Sequence, residues 1–263
     1  MLAACMAVAA VAACHRPAID HRREFTVADL QAARGFDWVR DSVGMFRLYA
    51  EAGTGPAGRL EAVVEEITGD IQPQIRSVIG RGISGEPIHV FLLEDTSDMK
   101  RLIGWAGTGI ATETFVLHVL PEDRPRLGAH EFMHVATARE FGELTGYGSW
   151  MLNEGVAVFA SGRWHGYDLH ALTRRLRDEG DGLALRRLLT EGRSLAERIT
   201  YPQAGSFVEF LHHRFGADTL AALLQRQYSS PEPQFEAVLG MDLEALEAEW
   251  NDVVSSADAG DTP

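Results

Sequence analysis

Cysteine is almost missing from this chain of 263 residues: there are two, Cys5 and Cys14, both at the extreme N-terminus. The rest of the chain therefore cannot close a disulfide within itself. A metal site in its body cannot use thiolate, so any zinc there must be held by His and carboxylate ligands. Basic residues are also in deficit. Lys and Arg number 24 against 38 Asp and Glu, a formal net charge of −14, and no Lys/Arg-rich block interrupts the sequence. Such a chain lacks the electrostatic footprint of a nucleic-acid binder, and anionic lipid repels it. Repeats and low-complexity tracts are absent outside the termini. What remains is ordinary globular composition, 46% hydrophobic and 24% charged, long enough for one large domain or two small ones.

The first 14 residues, "MLAACMAVAAVAAC", are small and apolar. They are too few to span a bilayer and resemble the h-region of a secretory signal. "VAAC" at 11–14 looks like a bacterial lipobox, which implies a signal over 1–13 and a lipidated Cys14 as the first mature residue. That anchor would hold the protein at a membrane surface, exported and facing the periplasm of a bacterial cell envelope. The pattern lacks a positively charged n-region, since no Lys or Arg precedes Arg16; a start codon assigned too far downstream accounts for that. The plain alternative is an apolar N-terminus that stays in the cytoplasm. Residues 14–35 read as a tether, 36–254 as one domain, and 255–263, "SSADAGDTP", as a disordered tail.

Within the domain, 45–53 alternates as a strand does. Residues 56–80 carry apolar side chains at 60, 63, 64, 67, 71, 75, 78 and 79, a helical period that Pro73 should kink. Residues 87–95 read as a buried strand. Residues 96–104 read as a short helix capped by Thr or Ser. Residues 114–120 read as a further strand, at a sheet edge where an extended peptide can add itself. From Pro125 the pattern is helical, over 125–141, 150–161, 168–178, 203–215, 217–228 and 242–254. A strand-containing part (36–123) followed by a helical part (124–254) predicts an α+β fold with a small N-terminal mixed sheet.

The chemistry concentrates in "GAHEFMHVATARE", residues 128–140. Residues i and i+4 share a helix face, so His130 and His134 point the same way and can share one cation. Glu131 sits at the edge of that face, free to take a proton from a water activated there. With 10 His in 263 residues, chance supplies about 0.03 such matches. The apolar neighbours Phe132, Met133, Val135 and Ala136 bury the helix, and buried imidazoles beside a carboxylate need partners. A catalytic zinc commonly takes three protein ligands and keeps one position open. The third candidate is Glu154 in "SWMLNEGVAVFASG" (149–162), an isolated carboxylate in an apolar helix whose small residues Gly155, Ala157 and Ala160 permit close packing.

"HEFMH" followed by "WMLNEGVA" resembles the gluzincin metallopeptidases, specifically their peptidase MA-like domains. The resemblance is specific over about 126–162 and weaker to about 216. It implies a zincin-like fold, one Zn2+ held by His130, His134 and Glu154, Glu131 as general base, and a peptide or protein substrate. It also sets Tyr201, in "YPQAGSFVEFLHHRFG" (201–216), where related domains carry a Tyr that donates to the developing oxyanion. Packing of Tyr201 beneath Pro202 is an equal reading, and Tyr147 and Tyr167 are rivals for the role. Two departures matter. The G-x-M-E-N motif of gluzincin aminopeptidases is missing from 107–120, which favours an endopeptidase. Val158 stands where some gluzincins place an Asp that orients a zinc ligand. The rival functions are a zinc-containing envelope binding or assembly domain without catalysis, and a helical binding protein whose His pair holds nothing.

The remaining candidates read as structural. His118 is a wall residue in a strand. His165 and His170 lie on the surface or in a loop. Adjacent His212 and His213 diverge and cannot share a metal. Trp38, Trp105, Trp164 and Trp250 belong to the core, Glu65 and Glu66 form a solvated helix face, and "GRGISG" (80–85) is a loop.

Overall fold

The computed structural model describes residues 25–142, 149–225 and 231–257. The signal segment, Cys14, Tyr147, the end of the helix expected over 217–228, and the tail from 258 lie outside them. Among the described residues no helix is long and apolar enough to cross a membrane.

The fold is α+β: a small five-stranded mixed sheet, with a mostly helical remainder. In chain order the N-terminal part runs α1 (Val27–Gln31), β1 (Trp38–Val43), β2 (Phe46–Glu51), α2 (Leu60–Glu66), α3 (Gln72–Ile79), β3 (Ile88–Leu93), α4 (Thr96–Ile103), β4 (Gly109–Ala111) and β5 (Phe115–Val119). The helical part follows as α5 (His130–Phe141), α6 (Ser149–Ala160), α7 (Leu169–Asp178), α8 (Leu185–Glu191), α9 (Glu197–Phe215), α10 (Ala217–Gln225), α11 (Pro231–Leu239) and α12 (Leu243–Ser256). The strand order is β1-β2-β3-β5-β4, with β2, β3 and β5 parallel and the two outer strands antiparallel to their neighbours.

Both faces of the sheet are covered, which is what the central apolar runs require. Leu48, Val90 and Val116 face the larger core beneath α3, α5 and α6. Tyr49, Phe91 and Leu117 point to the opposite face, where Leu30 of α1 and Met99 of α4 close a smaller core. Residues 27–31, read from sequence as tether, thus belong to the folded body. Thr26 and Asp29 form a reciprocal capping box there, and Trp38 Nε1 donates to Leu30 O at 3.0 Å.

Several boundaries differ from the sequence reading for identifiable reasons. The helix expected over 56–80 opens with a 3-10 turn at Ala57–Arg59 and runs to Ile79, with a π-helical turn at Ile67–Ile71, just ahead of Pro73. That turn accommodates the proline that was expected to kink it. The cap of α4 is Asp95, which accepts from the amides of Ser97 and Asp98, and not Thr or Ser. α9 begins at Glu197, with Pro202 inside it, because its buried face outweighs the lost hydrogen bond. β1 gave no periodic signal, since most of its side chains are exposed. β5 is not an edge. It lies between β3 and β4, and the edge at that side of the sheet is β4.

The helix carrying both histidines starts at His130 rather than 125. Gly128 has φ 67°, a conformation glycine adopts freely. The amides of Leu127 and Gly128 instead donate to the two carboxylate oxygens of Glu66, at 3.1 and 3.0 Å. Glu66 is therefore not part of a solvated face; it receives the chain one turn before the site. At the other end of α5, Arg139 donates to four backbone carbonyls, those of Ser84, Glu86, Pro87 and Glu113. This fixes α5 against the β4–β5 turn.

Candidate metal centre

α6 and α9 approach closely because both present glycine at the crossing. A Cβ on Gly155 would stand 2.7 Å from Ala204 O, and one on Gly205 would stand 3.0 Å from Val158 Cβ. Val158, the position lacking the Asp of some gluzincins, is thus a packing residue. α5 meets the other flank of α6, where Thr137 Oγ1 donates to His134 O at 3.1 Å and reaches Asn153 Oδ1 at 3.3 Å. Asn153 is the neighbour of Glu154, so this contact sets the level of the carboxylate relative to the histidines.

Three donor atoms converge there. His130 Nε2 and His134 Nε2 are 3.2 Å apart. Glu154 Oε2 is 3.5 Å from the first and 3.4 Å from the second. Among the described residues these three form the single group of His, Cys or carboxylate side chains able to hold a metal ion. On a tetrahedron, donors bonded to zinc at about 2.0–2.1 Å stand about 3.3–3.4 Å apart, so the triangle has the right size. An octahedral site with bonds of about 2.0–2.1 Å would draw them to about 2.9 Å. Only His130 is appreciably open, its side chain 24% exposed against 10% for His134 and 11% for Glu154. Access is therefore from the His130 side.

Burial alone would raise the Glu154 pKa. The charge interaction with His134 and hydrogen bonds from both imidazoles outweigh it and hold the carboxyl well below the usual carboxylate range. The group is an anion facing two imidazoles, which is the donor set a divalent cation needs.

Glu131 sits one residue along α5, its side chain lying against Gly109 of β4. Tyr201, in the second turn of α9, is buried to 8% exposure, its ring stacked toward His130 with centroids 6.3 Å apart. Trp150 and Trp164 flank it at 5.6 and 5.1 Å. Tyr201 is thus adjacent to the centre as well as packed. Tyr167 interacts with Arg175 instead. His118 pairs in register with Gly109, and desolvation pushes its pKa down to about 4, with the charges of His130 and Arg124 adding to the shift.

Sequence reasoning missed a second buried polar group, distant in role from the first. His170, expected on the surface or in a loop, is half-buried in the first turn of α7. Its Nδ1 lies 2.8 Å from Ser206 Oγ, which also accepts from Trp250 Nε1 at 3.0 Å. Its Nε2 stands 3.5 Å from Glu209 Oε2, a buried atom with no hydrogen-bond partner among the described residues. Burial, reinforced by the Asp168 charge, raises the Glu209 carboxyl to about 7. An ordinary glutamate carboxyl titrates at 4.5, so between about 4.5 and 7 the folded state binds more protons than the unfolded one, and stability falls as pH rises. Glu209→Gln should lack that slope. Comparing thermal unfolding at about pH 5 and about pH 8, wild type is expected to lose on the order of 1–3 kcal/mol more than the variant. Parallel pH profiles for the two proteins would refute this.

Compared with known proteins, the chain matches no protein-family model, and no curated protein matches it significantly.

Proposed function

We propose that this chain is a zinc-dependent endopeptidase of the gluzincin type with a zincin-like fold. The observation that carries the reading is the convergence of His130, His134 and Glu154 from two packed helices at tetrahedral spacing. Glu131 lies beside them and is not part of the donor triangle. A purely structural zinc site is closed by a fourth protein ligand, and among the described residues there are three.

His130, His134 and Glu154 would hold the ion. When bound, zinc supplies Lewis acidity, lowering the pKa of a water and polarising a carbonyl. Glu131 then accepts a proton as the water oxygen attacks the scissile carbonyl carbon. It returns that proton to the departing nitrogen as the C–N bond breaks. Tyr201, beside His130, is the donor assigned to the developing oxyanion.

The edge strand supports an extended substrate. At the two ends of β4 the amide of Thr112 and the carbonyl of Thr108 bond to β5. By the alternation of an antiparallel ladder, the N–H and C=O of Gly109 and Ala111 face outward. Among the described residues nothing pairs with that edge. A peptide lying along it would pass Glu131, with internal bonds in reach, in keeping with the missing aminopeptidase motif. On the same reading the mature chain begins at a lipidated Cys14 and faces the periplasm, which a mass spectrum of the mature N-terminus checks.

The direct test is zinc quantification with a peptide-library digest. One zinc per chain and chelator-sensitive cleavage at internal bonds are expected. Metal-free protein, or fragments released one residue at a time from the amino terminus, would sink the proposal.

A further inference from the structure

Gly109 occupies an unusual place. It is the first residue of β4 and the cross-strand partner of His118. A Cβ built there would stand 2.9 Å from Glu131 Cγ, 2.8 Å from Cδ, and closer still to Oε1. Real Cβ atoms essentially never come so near. Its φ lies outside the left-handed region, so the backbone does not call for glycine; the space does. Alternation along the strand settles which side is involved. Ala111 belongs to the larger core beneath α5 and Ile110 packs on the opposite face, so the missing side chain of Gly109 points at α5.

We infer that Gly109 is a positioning residue for the base: the gap left by its missing side chain is the seat of the Glu131 carboxylate. The inference rests on the reading of Glu131 as general base, and adds what holds it. A Glu in the first turn of a helix has three rotatable bonds and would ordinarily sample several positions. Here β4 forms a flat floor under it, and His118 stands across the ladder. The floor cannot retreat readily, because Arg139 at the far end of α5 grips Glu113 O in the turn of the same hairpin. One residue thus serves two ends: its outward amide and carbonyl lie on the free edge, while its bare Cα receives the carboxylate. The proton acceptor is thereby set at a constant distance from any backbone paired to that edge.

Three variants test this: Gly109→Ala, Glu131→Ala and the double. Gly109→Ala is expected to bind one zinc, unfold cooperatively, and lose at least about 100-fold in kcat with KM nearly unchanged. In the Glu131→Ala background, which lacks all three of the crowding atoms, the same change should cost less than about twofold of the residual activity. Equal losses in both backgrounds, or a Gly109→Ala enzyme within about threefold of wild type, overturn the inference. A crystal structure of Gly109→Ala should show the Glu131 carboxylate displaced by more than about 1 Å; a carboxylate left in place overturns it independently of activity. Should Gly109→Ala alone fail to fold, the Gly109→Ala/Glu131→Ala double is expected to fold like Glu131→Ala, and its failure also counts against the idea. If wild type cleaves no peptide, the peptidase reading fails, and the crystallographic displacement still decides whether Gly109 seats Glu131.

Discussion

Glu131→Gln is expected to retain one bound zinc and to lose about 10²–10⁴-fold in kcat for peptide hydrolysis. The substitution keeps the size and shape of the side chain, so it still fits against Gly109, and it leaves all three donors of the triangle untouched. What it removes is the capacity to accept a proton. An amide cannot take the proton of the attacking water or return it to the leaving nitrogen, so the loss should fall on kcat and leave KM near wild type. Steady-state kinetics with metal analysis on the same preparation separates the outcomes. Activity within tenfold of wild type excludes Glu131 as the base, and a variant that loses zinc shows that it holds the ion.

Glu154→Ala should remove most of the metal-linked stabilisation. With zinc at about 100 times its Kd, wild type gains about 2.7 kcal/mol, or roughly 5–11 °C in Tm for a domain of this size. Removing the one anionic donor leaves two neutral imidazoles. A 100-fold loss of affinity, a conservative figure, cuts the gain at the same zinc concentration to about 0.4 kcal/mol. The geometry makes this demanding: Glu154 Oε2 of α6 stands 3.5 and 3.4 Å from the two imidazoles of α5. Differential scanning fluorimetry across a zinc titration, with a chelated control, reads the effect. Equal zinc-induced shifts in wild type and variant would remove Glu154 from the ligand set, and with it the proposed centre.

Much of the candidate site was legible because it is local. His130 and His134 are one helical turn apart, and their convergence follows from the 3.6-residue period alone. Glu154 was legible through cost: a carboxylate in "WMLNEGVAVFA" needs a partner, and it is 8% exposed here. Strands β2, β3 and β5 were legible through short apolar runs between turns. Exposed β1 had no such pattern, and neither did α1, α8 and α11. Glu66, His170 and Gly109 were opaque for a different reason. Each owes its role to a residue more than twenty positions away, Gly128, Ser206 and Glu131 respectively, and a single sequence carries no sign of such pairings.

By itself, then, the amino-acid sequence determined the donor types, since cysteine is confined to the N-terminus, and the i, i+4 pairing of two imidazoles on a helix whose apolar neighbours bury it. It also determined the order of strands before helices that makes the fold α+β. Only the tertiary structure decided that β4, and not β5, is the open edge, that Gly109 lies under Glu131, and that Glu154 reaches both imidazoles. Helical periodicity acts over a few residues and is written in the chain, whereas strand order and interhelical distance depend on how distant segments pack, and packing is settled only when the whole core closes.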